Sequence, residues 1–441
     1  MNRGAVLPAA VAVLAAAYWL FADTVRFWTG AGAEAAAIRF SFWGGFDDLR
    51  MWERIIAGFE RGRAGPRVRP EFLPISGYAT KMQQQLAAGG APDVMLYQDE
   101  PFAVVASQAF VDLSPAERDP ELAAALADCY DSAVTSFRAA GVLRGAPFSG
   151  GNLLVYCNRR AFERAGRFHG RPVTLPADDW TLDEFIARCR ALTFDEDGDG
   201  EIDQFGFLQP SWVYYQPLLW AHGAELLDAG RSGWRFVGPA AEAALEFYQR
   251  LRIDWRVTPA PAEFAGQNAD TAFLAGRVAM CLNGPWLLPF LRETRLRDGF
   301  FVAPIPRGPG GRDTRATWDG LCIARTCTGP RRDRALEFVK YCLTPDAQRV
   351  VAEHERAIPA RRSVADVWAA AAPQPAVRRF CGAMQTARLQ PITPCWSAMD
   401  RALKRTFADV IADVPPRPTA AQAARDLAAS PEIAGCFVPG R

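Results

Sequence analysis

Histidine is scarce in this chain of 441 residues: His169, His222 and His354 stand alone, with no HExxH or comparable spacing. Zinc hydrolases and Ser-His-Asp or Cys-His enzymes need a positioned imidazole, so few residues are left for that chemistry. Lysine is equally rare, Lys81, Lys340 and Lys404 being the only ones among 50 Lys+Arg, a bias expected of a GC-rich genome. An excess of one charge is also missing, since those 50 cations face 49 Asp+Glu for a formal net charge of +1. Nonspecific binding to nucleic acid or to an anionic membrane needs a basic surface and is therefore disfavoured. None of the ten cysteines forms a CxxC, which excludes a zinc ribbon or thioredoxin-like motif, and none precedes Cys129, which leaves no N-terminal lipidated cysteine. The even count permits disulfides. However, Cys157, Cys281, Cys322 and Cys342 lie in apolar runs where free buried thiols are common, and spacing pairs none of the ten.

What is present describes a folded, exported protein. The chain is 50% hydrophobic and 22% charged, far from a disordered composition, and its length accommodates two or three domains. Arg3 precedes an uncharged stretch, 4–22, intermediate in length between a signal-peptide core and a membrane span. Residues 1–37 are read as a signal peptide, or an uncleaved membrane anchor plus linker, that sends the rest of the chain across the membrane. Small-residue cleavage sites at 31–33 and 33–35 lie far past the apolar core, which favours the anchor. The expected location is periplasmic or extracytoplasmic.

From Ile38 onward, strand and helix patterns alternate, predicting an α/β protein with mainly parallel sheets. IRFSFW is a first strand. The helix after it has Asp47 or Asp48 as its cap and Leu49, Trp52, Ile55, Ile56 and Phe59 at helical spacing. VRPEFL is a second strand, 76–88 a second helix and 93–97 a buried third strand. Ligands of open α/β sheets bind beyond the carboxyl ends of strands, which directs attention to 43–45 and 97–100.

Several segments, in order, carry a family resemblance. KMQQQLAAGGAPDVMLYQDE (81–100) resembles the "K…AAG.aPDV" segment of extracytoplasmic solute-binding proteins of ABC sugar importers, in the branch that includes maltose-binding protein. GAPFSGGNLLVYCNRRAFERAG (145–166), DDWTLDEFIARCRALT (178–193) and FLAGRVAMCLNGPW (273–286) are similar to later segments of the same family. VAPIPRGPGG, RALEFVKYCLTPDAQ and IPARRSV complete the series. The resemblance implies a periplasmic-binding-protein-like fold of two α/β lobes joined by three hinge crossovers, near 149–152, 301–306 and 343–345. Lobe I would comprise 38–149 and 301–343, lobe II 150–300 and 344–430, with the ligand cleft between them. Gly150-Gly151 fits the first hinge independently, because adjacent glycines tolerate the dihedral changes of closure.

DEDGDGEIDQFG (195–206) places Asp195, Asp197, Asp199 and Asp203 at positions 1, 3, 5 and 9 of a calcium-loop pattern, with Gly200 at the turn and Glu201 offering a carbonyl. Hard oxygen donors at alternating positions suit Ca2+, in a structural role. Position 12 is Gly206 where a complete EF-hand has Glu, so further ligands would come from elsewhere or from water.

Sugars present apolar C–H faces between rings of hydroxyls, so their sites pair aromatic platforms with carboxylates, amides and Arg donors. Beside the resemblance, the expected ligand-binding residues are Trp43, Tyr78, Gln98, Asp99, Glu100, Trp212, Tyr214, Trp286, Trp318, Asp319 and Trp396. Trp286, in NGPW, matches a position that stacks on sugar in the family. Adjacent carboxylates such as Asp99 and Glu100 or Asp178 and Asp179 could be read as a glycosidase pair, but neighbours on one loop point apart and no catalytic signature surrounds them. The expectation is a monomeric, non-enzymatic receptor that captures a sugar and delivers it to ABC permease subunits. Alternatives of the same fold are a polyol or glycerol-phosphate receptor, with Arg361 or Arg362 as phosphate clamp, and a sugar sensor for a membrane kinase.

Overall fold

The computed structural model describes residues 37–61, 67–208, 211–260, 263, 269–372, 374–393, 395–412 and 416–437. The export segment at 1–36 lies outside these. Among the described residues no helix is long and apolar enough to cross a membrane. Two compact units emerge, one of residues 37–95 with Ile323–Phe338, the other of Leu96–Cys322 with 339–437.

In the first unit, β1 (Ile38–Trp43) pairs in parallel with β2 (Val68–Leu73) and with the start of β3 (Val94–Gln98). The helix Phe46–Glu60 packs Trp52 edge-on against Phe40 of β1, and Phe59 and Phe40 both meet Phe338. Its N-cap is Gly45, while Asp48 in the first turn reaches back to accept the Gly45 N–H at 2.6 Å. The capping carboxylate therefore acts from inside the helix, where it also meets the positive end of the dipole. The second helix is Tyr78–Ala87. Asp93 at the mouth of β3 is 2% exposed and is held by the Arg39 N–H and the Arg331 guanidinium, both at 2.9 Å.

In the second unit a two-residue-per-strand hairpin, β4 (Arg138–Ala139) and β5 (Val142–Leu143), precedes β6 (Ala146–Asn152) and β7 (Leu154–Asn158). β7 belongs to a four-stranded sheet with β8 (Phe205–Leu208), β9 (Val278–Asn283) and β10 (Phe300–Ala303), in the order β10-β7-β9-β8. β6 instead pairs antiparallel with β11 (Arg315–Ile323) and β12 (Ile358–Pro359), and β13 (Arg388–Leu389) runs parallel to β11. The chain thus changes sheet across the single residue Leu153, and again between β10 and β11. The α/β class holds, but the sheets are mixed: β7 pairs antiparallel with both β9 and β10, whereas β8–β9 is parallel.

Local chemistry sets the helices of this unit. The Asn158 side chain caps Arg159–Phe168, and Thr181 with Glu184 forms a reciprocal capping box on Leu182–Ala191. The glycine pair of β6 has a reason beyond the dihedral freedom expected of it. Both residues are buried within a strand, and a Cβ on Gly150 would lie 2.3 Å from the Trp318 ring.

Candidate functional site

The expected site residues are either buried or partly buried. In the first unit Tyr78 is buried and its hydroxyl donates to the Ser41 carbonyl of β1 at 3.0 Å, which makes it an internal anchor. Trp43 ends β1 half-buried. In the second unit three of the expected platforms are core residues. Trp318 is fully buried beside Tyr130 and donates through Nε1 to Ser132 Oγ. Trp212 and Trp396 pack on each other with ring centroids 5.6 Å apart, and Trp212 Nε1 is held by Asp400. Their residue type and position near strand ends matched a ligand platform, but Trp212 lies on a helix, Trp212–Ala221, with its indole turned into the core. Asp319 is half-buried opposite Ser149 on β6, and Gln98 is half-buried at the end of β3.

Two aromatic residues keep accessible faces and lie together. Trp286 sits in a tight turn, Pro285–Leu287, directly after β9, and is partly exposed between buried neighbours. Its indole folds over backbone that carries no side chain: a Cβ on Gly284 would lie 2.3 Å from the ring, and one on Gly151 3.0 Å from it. Tyr214, half-exposed on the helix Trp212–Ala221, meets Trp286 edge to face, with centroids 6.2 Å apart and planes at 87°. Burial pushes the Tyr214 hydroxyl up, while Arg315, Asp270, Glu100 and Trp286 are near enough to act on it electrostatically or by hydrogen bonding. The rings are therefore flanked by charge.

That charge is organised by the start of β11 and the helix Asp99–Ala109. The Arg315 side chain, 7% exposed, pairs with Glu100 at 2.5 Å, and Thr317 two residues on donates to Asp99 Oδ1 at 3.2 Å. The Trp318 N–H donates to Asp99 Oδ2 at 3.3 Å. Alternation along a strand puts Arg315 and Thr317 on one face, which is why both meet this helix terminus. Burial, with Glu100 beside it, pushes the Asp99 carboxyl up to about 7 against the opposing pull of Arg315 and these hydrogen bonds. Asp99, expected to bind ligand, is 3% exposed and instead braces β11. Among the described residues the enclosed Arg315 Nε has no hydrogen-bond partner, a donor that a water would satisfy. On the other flank Asn283 Nδ2 donates to Asp270 at 2.7 Å. Arg315, Thr317, Asp270 and Asn283 were not anticipated: an arginine among so many carries no motif, and only strand register brings it to Glu100.

The proposed phosphate clamp is otherwise engaged. Arg361 pairs with Asp128 at 2.7 Å, and Arg362 donates to the Ala127 carbonyl and faces Asp131. In the acidic loop, carboxylate oxygens of Asp195, Asp197 and Asp203 converge within 4.8 Å of one another. Gly198 and Gly200, both at positive φ, turn their N–H groups onto Asp195 at 2.7 and 2.8 Å. Asp199 lies outside this group of three and, like its neighbours, accepts a backbone N–H of the loop, that of Glu201 at 2.8 Å. A hard cation fits the three converging carboxylates.

Comparison with known proteins places this geometry in a family. A binding protein of Brucella abortus is 25% identical over 265 residues, 58% of this chain, and the match spans only 60% of that relative's length. A maltooligosaccharide ABC transporter solute-binding lipoprotein of Streptococcus pneumoniae is 24% identical over 70% of this chain and 69% of its own. Among solved structures, an ABC substrate-binding protein from Listeria monocytogenes in complex with cycloalternan superposes with a TM-score of 0.78 at 20% identity, covering 89% of this chain and 96% of that one. The maltotriose-binding protein of Thermus thermophilus gives 0.72 at 22%, covering 91% and 100%. At such identities the structural likeness establishes the fold, that of two-lobed substrate-binding proteins. The family description "Bacterial extracellular solute-binding protein" matches residues 54–376, and the chain belongs to that family.

Proposed function

We propose that this chain is the sugar-binding component of an ABC transporter, capturing a mono- or oligosaccharide outside the cytoplasmic membrane and delivering it to permease subunits. The observation that carries this reading is the seat of Trp286: one face of the indole is pressed on glycine backbone, and the residue remains partly exposed beside Tyr214. An indole held in this way suits the C–H face of a pyranose, and the partly exposed carboxylates Glu100 and Asp270 would offer acceptors to hydroxyls nearby, with Arg315 and Asn283 holding them in place. The names of the pneumococcal relative and of the sugar-bound structures support the same class. The engagement of Arg361 and Arg362 by acids speaks against glycerol phosphate.

In this reading the lobes 38–149 with 301–343 and 150–300 with 344–430 close on the sugar about the crossovers. Closure is then a population shift, driven by contacts the ligand makes to both lobes only in the closed state. Residues 4–22 serve as export signal or anchor, and Ca2+ held by Asp195, Asp197 and Asp203 stiffens the loop before β8. A thermal-shift screen of the full chain tests the substrate class: neutral oligosaccharides should raise Tm and glycerol 3-phosphate should not. Stabilisation by the phosphate alone would reject the proposal.

A further inference from the structure

Ten cysteines leave many conceivable pairs, and the fold separates one of them from the rest. Eight of the thiols are buried, and burial pushes them up, Cys129 and Cys381 to about 12 and Cys327 to about 11. Cys157 has Cys189 and Cys281 as electrostatic neighbours, but all three are buried, out of reach of an external oxidant. Cys395 and Cys436 alone among the ten are partly exposed.

These two also touch. Cys395 stands immediately before the helix Trp396–Asp409, Cys436 two residues after the short helix Pro431–Ala434, and the two side chains lie near enough for one thiol to act on the other. Both pack on the rim of the same apolar core. The Cys436 thiol also donates to the Glu432 carbonyl at 3.0 Å, and Arg405 bridges to Glu432 at 2.6 Å, so helix and C-terminal turn are already docked before any covalent bond forms.

We propose that Cys395 and Cys436 form a disulfide in the exported protein. The oxidant is a protein or small-molecule disulfide of the extracytoplasmic space. One thiolate attacks it to give a mixed disulfide and releases a donor thiol, and the second thiolate then displaces the other donor thiol. Two protons leave the cysteine pair, one S–S bond forms, and the donor disulfide is reduced by two electrons to two thiols. An extracellular family is the setting in which such a bond persists. The bond would pin the end of the chain to the helix whose Trp396 packs on Trp212, the layer that carries Tyr214. The loop it closes, 395–436, is long enough for the cross-link to restrict the unfolded chain substantially.

The test equilibrates the full-length chain with oxidised glutathione, denatures it, alkylates it with iodoacetamide without reduction and weighs it. The expected result is alkylation of eight of the ten cysteines and a proteolytic peptide joining Cys395 to Cys436. Dithiothreitol should lower the wild-type Tm by about 5 °C and leave the Cys395→Ser/Cys436→Ser variant unmoved. Ten alkyl groups, or a cross-link between any other pair, would overturn the assignment. The mass measurement needs no variant, so a misfolded double mutant would not blur the outcome. Equal Tm responses to reductant in wild type and variant would overturn the pinning role.

Discussion

Tyr214 and Trp286 meet edge to face at 6.2 Å across the second unit, one carried by a helix, the other by the turn after β9. Neither position is fixed by its own segment alone. The indole is held because Gly151 of β6 and Gly284 leave room where any side chain would intrude. Gly151→Ala, whose Cβ would press on Pro285 and Trp286 at 3.0 Å, should therefore shift the platform by a few tenths of an ångström. The expected result is sugar affinity lowered by about threefold to tenfold, on the order of 1 kcal/mol, with Tm changed little. Gly150→Ala, whose Cβ would strike the Trp318 ring and a backbone carbonyl, should instead cost several degrees of Tm. Parallel melting and titration of the two variants checks the contrast.

Arg315 and Glu100 form a pair whose arginine is almost wholly enclosed. Arg315→Met leaves Glu100 and Asp99 without their cation, a change expected to destabilise by on the order of 3 kcal/mol. Adding Glu100→Gln should recover part of that loss. Chemical denaturation of wild type, both single variants and the double variant measures the coupling, and additive losses would mean that the pair is not an interacting unit.

Asp99 and His222 give stability opposite dependences on pH. The Asp99 carboxyl lies near 7 when folded and in the ordinary acid range when unfolded. Its contribution is thus fully present below about pH 4 and is lost as pH rises through 7. Asp99→Asn should flatten that decline. Burial pushes His222 down to about 4, so its contribution is present above about pH 6.5 and is lost as pH falls through 4. His222→Leu should remove this acid-side loss. Tm profiles of each variant minus wild type from pH 4 to 8 isolate the two slopes.

The convergence of Asp195, Asp197 and Asp203 predicts a metal-dependent loop. Chelator should lower the Tm of wild type, and Ca2+ should restore it. Asp197→Ala should start lower and ignore both reagents. An equal response of the two proteins would remove the cation from this loop.

Much of the fold is legible in the sequence, because periodicity is local. The strand at Ile38–Trp43 and the helix bearing Trp52, Ile55, Ile56 and Phe59 lie where alternation and helical spacing place them. The alternation of strand and helix patterns carried the α/β class, though not the antiparallel pairing of β7 with β9 and β10. The site was legible only in part. Trp286 and Glu100 fall just past strand ends, where the sequence directs attention. Trp212, Trp318 and Trp396 fall at similar places yet face inward, since the direction of an indole depends on partners distant in sequence, such as Asp400 and Ser132. Arg315 had no local signal at all, because its meaning comes from the strand register that sets it against Glu100.

The most direct measurement of the central claim is titration calorimetry of the full chain with maltotriose, in wild type and in Trp286→Ala. The account predicts saturable heat for the wild type, with affinity near the micromolar range, about −8 kcal/mol, and at least about tenfold weaker binding once the indole is gone. Binding of equal strength in both proteins would contradict it, as would heat with glycerol 3-phosphate and none with any neutral sugar.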